Sequence, residues 1–172
     1  LTELSRQVQQ GLAKPGKDLD LPLIERSEQA LFDETYQSLM HQVMHDPVTS
    51  LLNRKGFMQH LNQLSMPEEA GKAHAVGIIE FDQFRMIYNT CGVEAAEALA
   101  RNLASVVKAQ IGPDAAMAAF RDDTLAILLP NCSRVQGCET VDILLKQIKD
   151  FHFQHERHSY SIGFNIGITE YA

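Results

Sequence analysis

The chain has no tryptophan and only three cysteines, Cys91, Cys132 and Cys138, an odd number without the paired spacing of a zinc site. That argues against a disulfide framework and for a reduced, cytoplasmic setting. No apolar stretch approaches the roughly 18 residues of a membrane span, and no secretory signal pattern opens the chain, so no membrane contact is expected. Basic residues number 15 against 22 acidic ones, for a formal net charge of −7, and they are scattered without a run. A nucleic-acid surface or a patch for anionic lipid is therefore not expected. Internal repeats and low-complexity tracts are absent too. What is present is ordinary for a globular protein: 172 residues, 45% apolar and 22% charged, enough for one well-cored domain and a short appendage. Because the chain opens on Leu1 rather than methionine, it is expected to be a piece of something longer.

Residues 1–22 read as a short helix and linker, interrupted at Gly11 and at Lys14-Pro15-Gly16-Lys17 and closed by Leu21-Pro22. Residues 23–45 contain no Gly or Pro and read as a connecting helix. In it Phe32, Tyr36, Leu39 and Val43 recur at alternating spacings of four and three. This seam suits a dimerising or signal-carrying helix, or equally one helix packed on its own domain; the repeat is too short to choose. Asp46-Pro47 breaks the run.

A domain over 46–172 follows. Asn53 is a good N-cap for a helix carrying Phe57, Leu61 and Leu64, which Met66-Pro67 ends. Residues 76–81 read as a buried strand. Residues 93–111 read as a helix with Ala98, Leu99, Leu103, Val106 and Val107 on its apolar stripe. Residues 116–120 and 125–129 form a hairpin candidate. Residues 141–151 read as an amphipathic helix, and 159–169 alternate as a half-buried strand does. The order predicts an α/β sandwich with a central, mostly antiparallel sheet flanked by helices and preceded by an N-terminal helix.

Acidic residues gather at two strand ends: Glu80 and Asp82 close one strand, and Asp122 and Asp123 lie in the hairpin turn. If both loops share one end of the sheet, four carboxylates could converge on a divalent cation and a nucleoside triphosphate. The alternative is that aspartate simply suits turns and water.

Four segments, in order, carry a resemblance. Asp46-Pro47-Val48-Thr49-Ser50-Leu51-Leu52-Asn53-Arg54 resembles the Asp-x-Leu-Thr-Gly-Leu-x-Asn-Arg opening of GGDEF domains, the diguanylate cyclase family. Glu80 to Asn89 followed by Gly92 resembles that family's Asp-x-Asp-x-Phe-Lys-x-Ile-Asn-Asp-x-x-Gly segment. Arg121-Asp122-Asp123-Thr124-Leu125 occupies the place of Gly-Gly-Asp-Glu-Phe, and Ser161-Ile162-Gly163 matches a later Ser-x-Gly strand. The wording around these segments is most similar to GGDEF domains that precede an EAL phosphodiesterase domain.

The resemblance implies a fold that, in active members, sets two GTP molecules face to face to give cyclic di-GMP. Such phosphoryl transfer rests on metal ions, a close backbone cradle and positioning. Here the cradle glycines are the bulky Arg121 and Asp122, and the metal-binding fourth residue is Thr124, a poorer Mg²⁺ ligand than a carboxylate. Asp123 keeps the third place. Glu80 stands at the first metal-binding position, one methylene longer than aspartate, so Glu80 and Asp123 are a vestigial metal pair. Phe84, Arg85, Tyr88 and Glu97 are vestigial nucleotide-binding residues. Arg85 replaces a phosphate-side lysine, Glu97 replaces a guanine-reading aspartate, and Tyr88 replaces a guanine-reading asparagine with a ring expected to fill the pocket. Val93 and Ala96 replace a His and a Gly. No Arg-x-x-Asp feedback site is present near residues 112–115.

The expectation is a catalytically inactive, regulatory or interaction domain with no catalytic residue. No cofactor is expected, with Mg²⁺ entering only if nucleotide binding is retained. Its partners would be neighbouring sensory and EAL domains of the same protein, a second copy, or another protein. The alternatives are a nucleotide-binding allosteric domain and a residual cyclase. Other features read more plainly. His152, His155 and His158 straddle an expected helix-to-strand connection, His41 and His45 read as surface residues, and Asp46 and Arg54 as structural ties of the turn leading into the domain.

Overall fold

The computed structural model describes residues 22–65 and 71–171. The expected linker over residues 1–21 and the helix stop at Met66-Pro67 lie outside the described residues. The chain divides into two compact units, residues 1–38 and 39–172. Helix α1 (Pro22–Met44) supplies the described part of the first unit, where Phe32 and Tyr36 stack with centroids 6.4 Å apart. The seam residues Phe32, Tyr36, Leu39 and Val43 are all exposed. No helix among the described residues is long and apolar enough to cross a membrane.

The second unit is built on a five-stranded sheet. Its strands are β1 (Leu52–Asn53), β2 (His74–Phe81), β3 (Ala116–Arg121), β4 (Thr124–Leu129) and β7 (Phe164–Tyr171), in the order β1-β3-β4-β2-β7. Only β1 and β3 run parallel; every other pair is antiparallel, as expected. β4 is buried along its whole length, because it lies at the centre with helices on both faces. Leu125, Ile127 and Leu129 point to one side and Ala126 and Leu128 to the other, following the two-residue period of a strand.

Helix α4 (Val93–Ile111) packs Leu99, Leu103 and Val107 into the first core, joined there by Leu144 and Ile148 of α5 (Arg134–Ile148). Helix α2 (Arg54–Leu64) covers the opposite face with Phe57, Leu61 and Leu64. Leu99, Leu103, Ile127 and Leu144 have no exposed surface, and each such side chain contributes about 1.5–3 kcal/mol on burial.

Several boundaries differ from expectation. α5 begins at Arg134, not 141, because Ser133 and Gln136 form a reciprocal capping box, and it ends at Ile148, not 151. Gly137 does not interrupt it: a Cβ there would lie 3.0 Å from that of Ala75, so the glycine lets the helix settle close on the sheet. The expected strand over 159–169 breaks at Ile162-Gly163. Its first part, β6 (His158–Ser161), pairs with β5 (His152–His155) in a separate two-stranded sheet. His152, His155 and His158 therefore lie on a hairpin, with His155 opposite His158, and share no helix. Two further short elements, β1 and the eight-residue helix α3 (Phe84–Cys91), were not expected from the residues.

Candidate functional site

β2 ends at Phe81, and the chain turns through Gln83, with φ of +70°, into α3. The β3–β4 turn arrives at the same end of the sheet, where the Phe81 N–H donates to the Asp123 carbonyl at 3.0 Å. The Asp82 N–H donates to the Gly163 carbonyl at 2.9 Å, so a third segment joins the other two. A Cβ at residue 163 would come within 2.8 Å of Asp82 Oδ2, so the glycine lets that carboxylate lie against the backbone. The signature turn, the Glu80–Asn89 segment and the Ser161-Ile162-Gly163 segment thus meet in space.

Thr124 is 5% exposed, and its hydroxyl donates to Asp123 Oδ1 at 2.9 Å. The bond is charge-assisted. Thr124 sits directly opposite Glu80 in the β2–β4 register, so their side chains are neighbours on one face of the sheet. Glu80 is exposed.

The four carboxylates do reach one sheet end, but they do not draw together: among the described residues no three acidic, histidine or cysteine side chains form a group able to hold a metal. The reasons are local. Asp82 is turned against the Gly163 backbone, and Asp123 already accepts the Thr124 hydroxyl. A hard dication prefers several carboxylate or carbonyl oxygens, and this donor set does not fit Mg²⁺.

Two cavities adjoin beneath and beside the β3–β4 turn. One, of about 310 Å³, is lined by Asp46, Phe84, Tyr88, Glu97, Phe120 and Asp122, among others. The second, of about 420 Å³, is bordered by Phe84, Arg85, Tyr88, Asn89 and the turn residues Arg121 to Asp123. Phe84 and Tyr88 line both cavities, Glu97 only the first and Arg85 only the second, and Tyr88 does not fill the pocket. The residue is 48% exposed and forms a wall, because it stands on the outer side of α3, one helical turn before Gly92. Glu97 is held loosely by Arg101 at 3.4 Å, both side chains being well exposed. Among the described residues Arg85 and Arg121 carry no hydrogen bond or ion pair.

Asp46, Thr49 and Phe120 line the first cavity as well, and the site reading from residues did not include them. Asp46 Oδ1 accepts from the Thr49 N–H at 2.8 Å and from its hydroxyl at 2.6 Å, closing the turn after α1. Their Asp-x-x-Thr spacing is a legible turn signal, but its nearness to residue 120 is created only by the fold. Arg54 lies over the Phe120 ring, 5.5 Å from its centroid, and is not bonded to Asp46. All three cysteines are unbridged. Burial pushes the Cys132 thiol up. The Tyr160 phenol is raised by its 3.2 Å hydrogen bond with Cys91, by partial burial and by the nearby Glu156.

Residues 43–172 match the family described as diguanylate cyclase, GGDEF domain. The chain is 28% identical over 134 residues to the probable diguanylate cyclase DgcE of Escherichia coli, covering 77% of this chain and 12% of that protein. It is also 28% identical over 126 residues to the cyclic di-GMP phosphodiesterase PdeB of Shewanella oneidensis, covering 72% and 14%. The chain thus spans about an eighth of the length of these relatives. Among solved structures, the FimX GGDEF domain of Pseudomonas aeruginosa superposes with a TM-score of 0.67 at 25% identity, covering 74% of this chain and 79% of that one.

Proposed function

The chain belongs to the GGDEF domain family of diguanylate cyclases, and we propose that it is a non-catalytic member, a regulatory and interaction module of cyclic di-GMP signalling. In the full-length protein it would act between a sensory region and an EAL domain. The observation that carries this reading is Thr124. A nearly buried hydroxyl stands where the family's metal-binding carboxylate belongs, and its one proton is committed to the neighbouring Asp123. Arg121 and Asp122 put side chains where the family relies on bare backbone, and Asp122 adds a negative charge facing any phosphate. Phosphoryl transfer of this class depends on metal and placement more than on covalent help from the protein, so these losses bear on the reaction itself. A neighbouring phosphodiesterase domain, which the family resemblance makes an EAL domain, is the reading that the similarity to the cyclic di-GMP phosphodiesterase PdeB supports. The test is direct: the purified chain, given GTP with Mg²⁺ or Mn²⁺, makes no cyclic di-GMP. Measurable turnover refutes the reading.

A second reading is favoured by the two open cavities and the two unpaired guanidiniums of Arg85 and Arg121. These suit a nucleotide that regulates a neighbouring domain without being converted. Calorimetric titration with GTP and with ATP separates the two. Binding tighter than about 100 μM, roughly −5.5 kcal/mol, supports the allosteric version.

A further inference from the structure

The smaller cavity has an unusual polar inventory for a nucleotide pocket. Three carboxylates line it, Asp46, Glu97 and Asp122, against a single lining cation, Arg121. One oxygen of Asp46 is spent on Thr49, which leaves the other; Glu97 is held only loosely; Asp122 has no partner among the described residues. The Thr49 hydroxyl proton is itself used on Asp46. The lining therefore carries three negative charges against one positive, with the Tyr88 hydroxyl as its remaining neutral polar group. Between the carboxylates stand aromatic walls, Phe81, Phe84, Tyr88 and Phe120.

A flat, cationic group with donors around its edge and none of its own acceptors matches this lining. That group is a guanidinium, with five N–H donors in a plane whose face stacks on aromatic rings. A nucleotide brings phosphates whose negative charge the three carboxylates oppose. An ammonium lacks the plane and the fork. The chain already uses the same chemistry once, where the Arg54 guanidinium lies 5.5 Å from the centroid of Phe120. The formal charge of −7 favours a basic partner at longer range.

We propose that this cavity is a docking pocket for an arginine side chain presented by a partner protein. The inference rests on the reading of the domain as a non-catalytic interaction module, and it names the partner's chemistry. Arg121, at the rim, opposes the incoming charge and sets the affinity from the other side.

The experiment uses the full 172-residue chain and a blocked Gly-Arg-Gly tripeptide, with the same peptide carrying lysine or the uncharged isostere citrulline, followed by NMR. The arginine peptide is expected to saturate with a Kd of about 1 mM or tighter, shifting the amide signals of Phe84, Tyr88 and Val93. Citrulline and lysine peptides bind about tenfold more weakly. Glu97→Gln and Asp122→Asn, both at solvent-reachable positions, each weaken the arginine peptide several-fold, and Arg121→Ala tightens it. Citrulline binding as well as arginine, indifference of both acid variants, or no saturation by about 10 mM overturns the proposal. Cyclic di-GMP synthesis is measured on the same sample. Synthesis with arginine binding intact overturns only the non-catalytic reading; no synthesis and no arginine binding overturns only this inference.

Discussion

A hydroxyl in place of a carboxylate at residue 124 changes more than a charge, because the register sets residue 124 directly across from Glu80 and its own side chain bonds Asp123. Threonine leaves the position between these two acids uncharged. Thr124→Glu should therefore destabilise the fold by about 1–3 kcal/mol, through a nearly buried charge opposite one acid and beside another. Millimolar MgCl₂ should recover part of the loss in that variant and leave the parent chain unmoved. Urea denaturation with and without the salt checks both halves. A variant as stable as the parent without magnesium would mean that the three carboxylates do not crowd. Thr124→Val, which keeps the shape and removes only the donor, should cost about 0.5–1.5 kcal/mol.

At the scale of elements, the joints are made by single side chains. Asn53 caps α2 by accepting from the Gly56 N–H at 2.9 Å, and its amide donates to the Val43 carbonyl in the last turn of α1 at 2.8 Å. Asn53→Ala should cost about 1–2 kcal/mol. Asn53→Asp keeps the cap but has no proton for Val43, so it should recover only part of that loss; thermal melts of both variants give the split. The cap was legible before the structure because its chemistry is local, as was the whole of α4. The start of α5 was not: the capping box at Ser133 and Gln136 lies before the amphipathic stretch, and Gly137 is accommodated by a close approach to Ala75 that only the packing shows. The β5–β6 hairpin was hidden for a similar reason: its alternation runs on into β7, and only pairing shows where one sheet stops. That hairpin is tied to the end of α3 by Tyr160 and Cys91, which raises the Tyr160 phenol above its ordinary range. A phenol raised in the folded state contributes stability that is complete below the unfolded-state pKa of about 10 and lost as pH rises through the folded value. Spectroscopic titration should find one tyrosine ionising late, and Cys91→Ala should bring it down.

For the molecule as a whole, the family pattern made the signature turn legible, and substitutions within it pointed to lost chemistry. The cavities were not legible, because Asp46, Glu97 and Phe120 meet only through the sheet and α4. The same distinction governs how GTP·Mg²⁺ affinity would be built up on the proposed reading. Carboxylate and cradle act on one ligand, so their effects should be strongly non-additive. Thr124→Glu alone restores a metal ligand but leaves two side chains over the phosphates. Arg121→Gly with Asp122→Gly clears them but leaves no carboxylate at 124. Tyr88→Asn restores an amide but neither the carboxylate at 124 nor the bare turn. Each of these three changes alone should improve affinity for GTP·Mg²⁺ by less than about threefold, and all of them together by at least tenfold, roughly 1.4 kcal/mol or more. The combined variant should also be less stable than the parent, since two new glycines in the turn cost about 0.5–1 kcal/mol each in lost chain restriction. Calorimetry against denaturation curves for the same proteins measures both. If the combined variant gains no affinity, the obstacle lies at Glu80 or at Val93 and Ala96, where the chain also departs from the family, and the hairpin is not what closed the site.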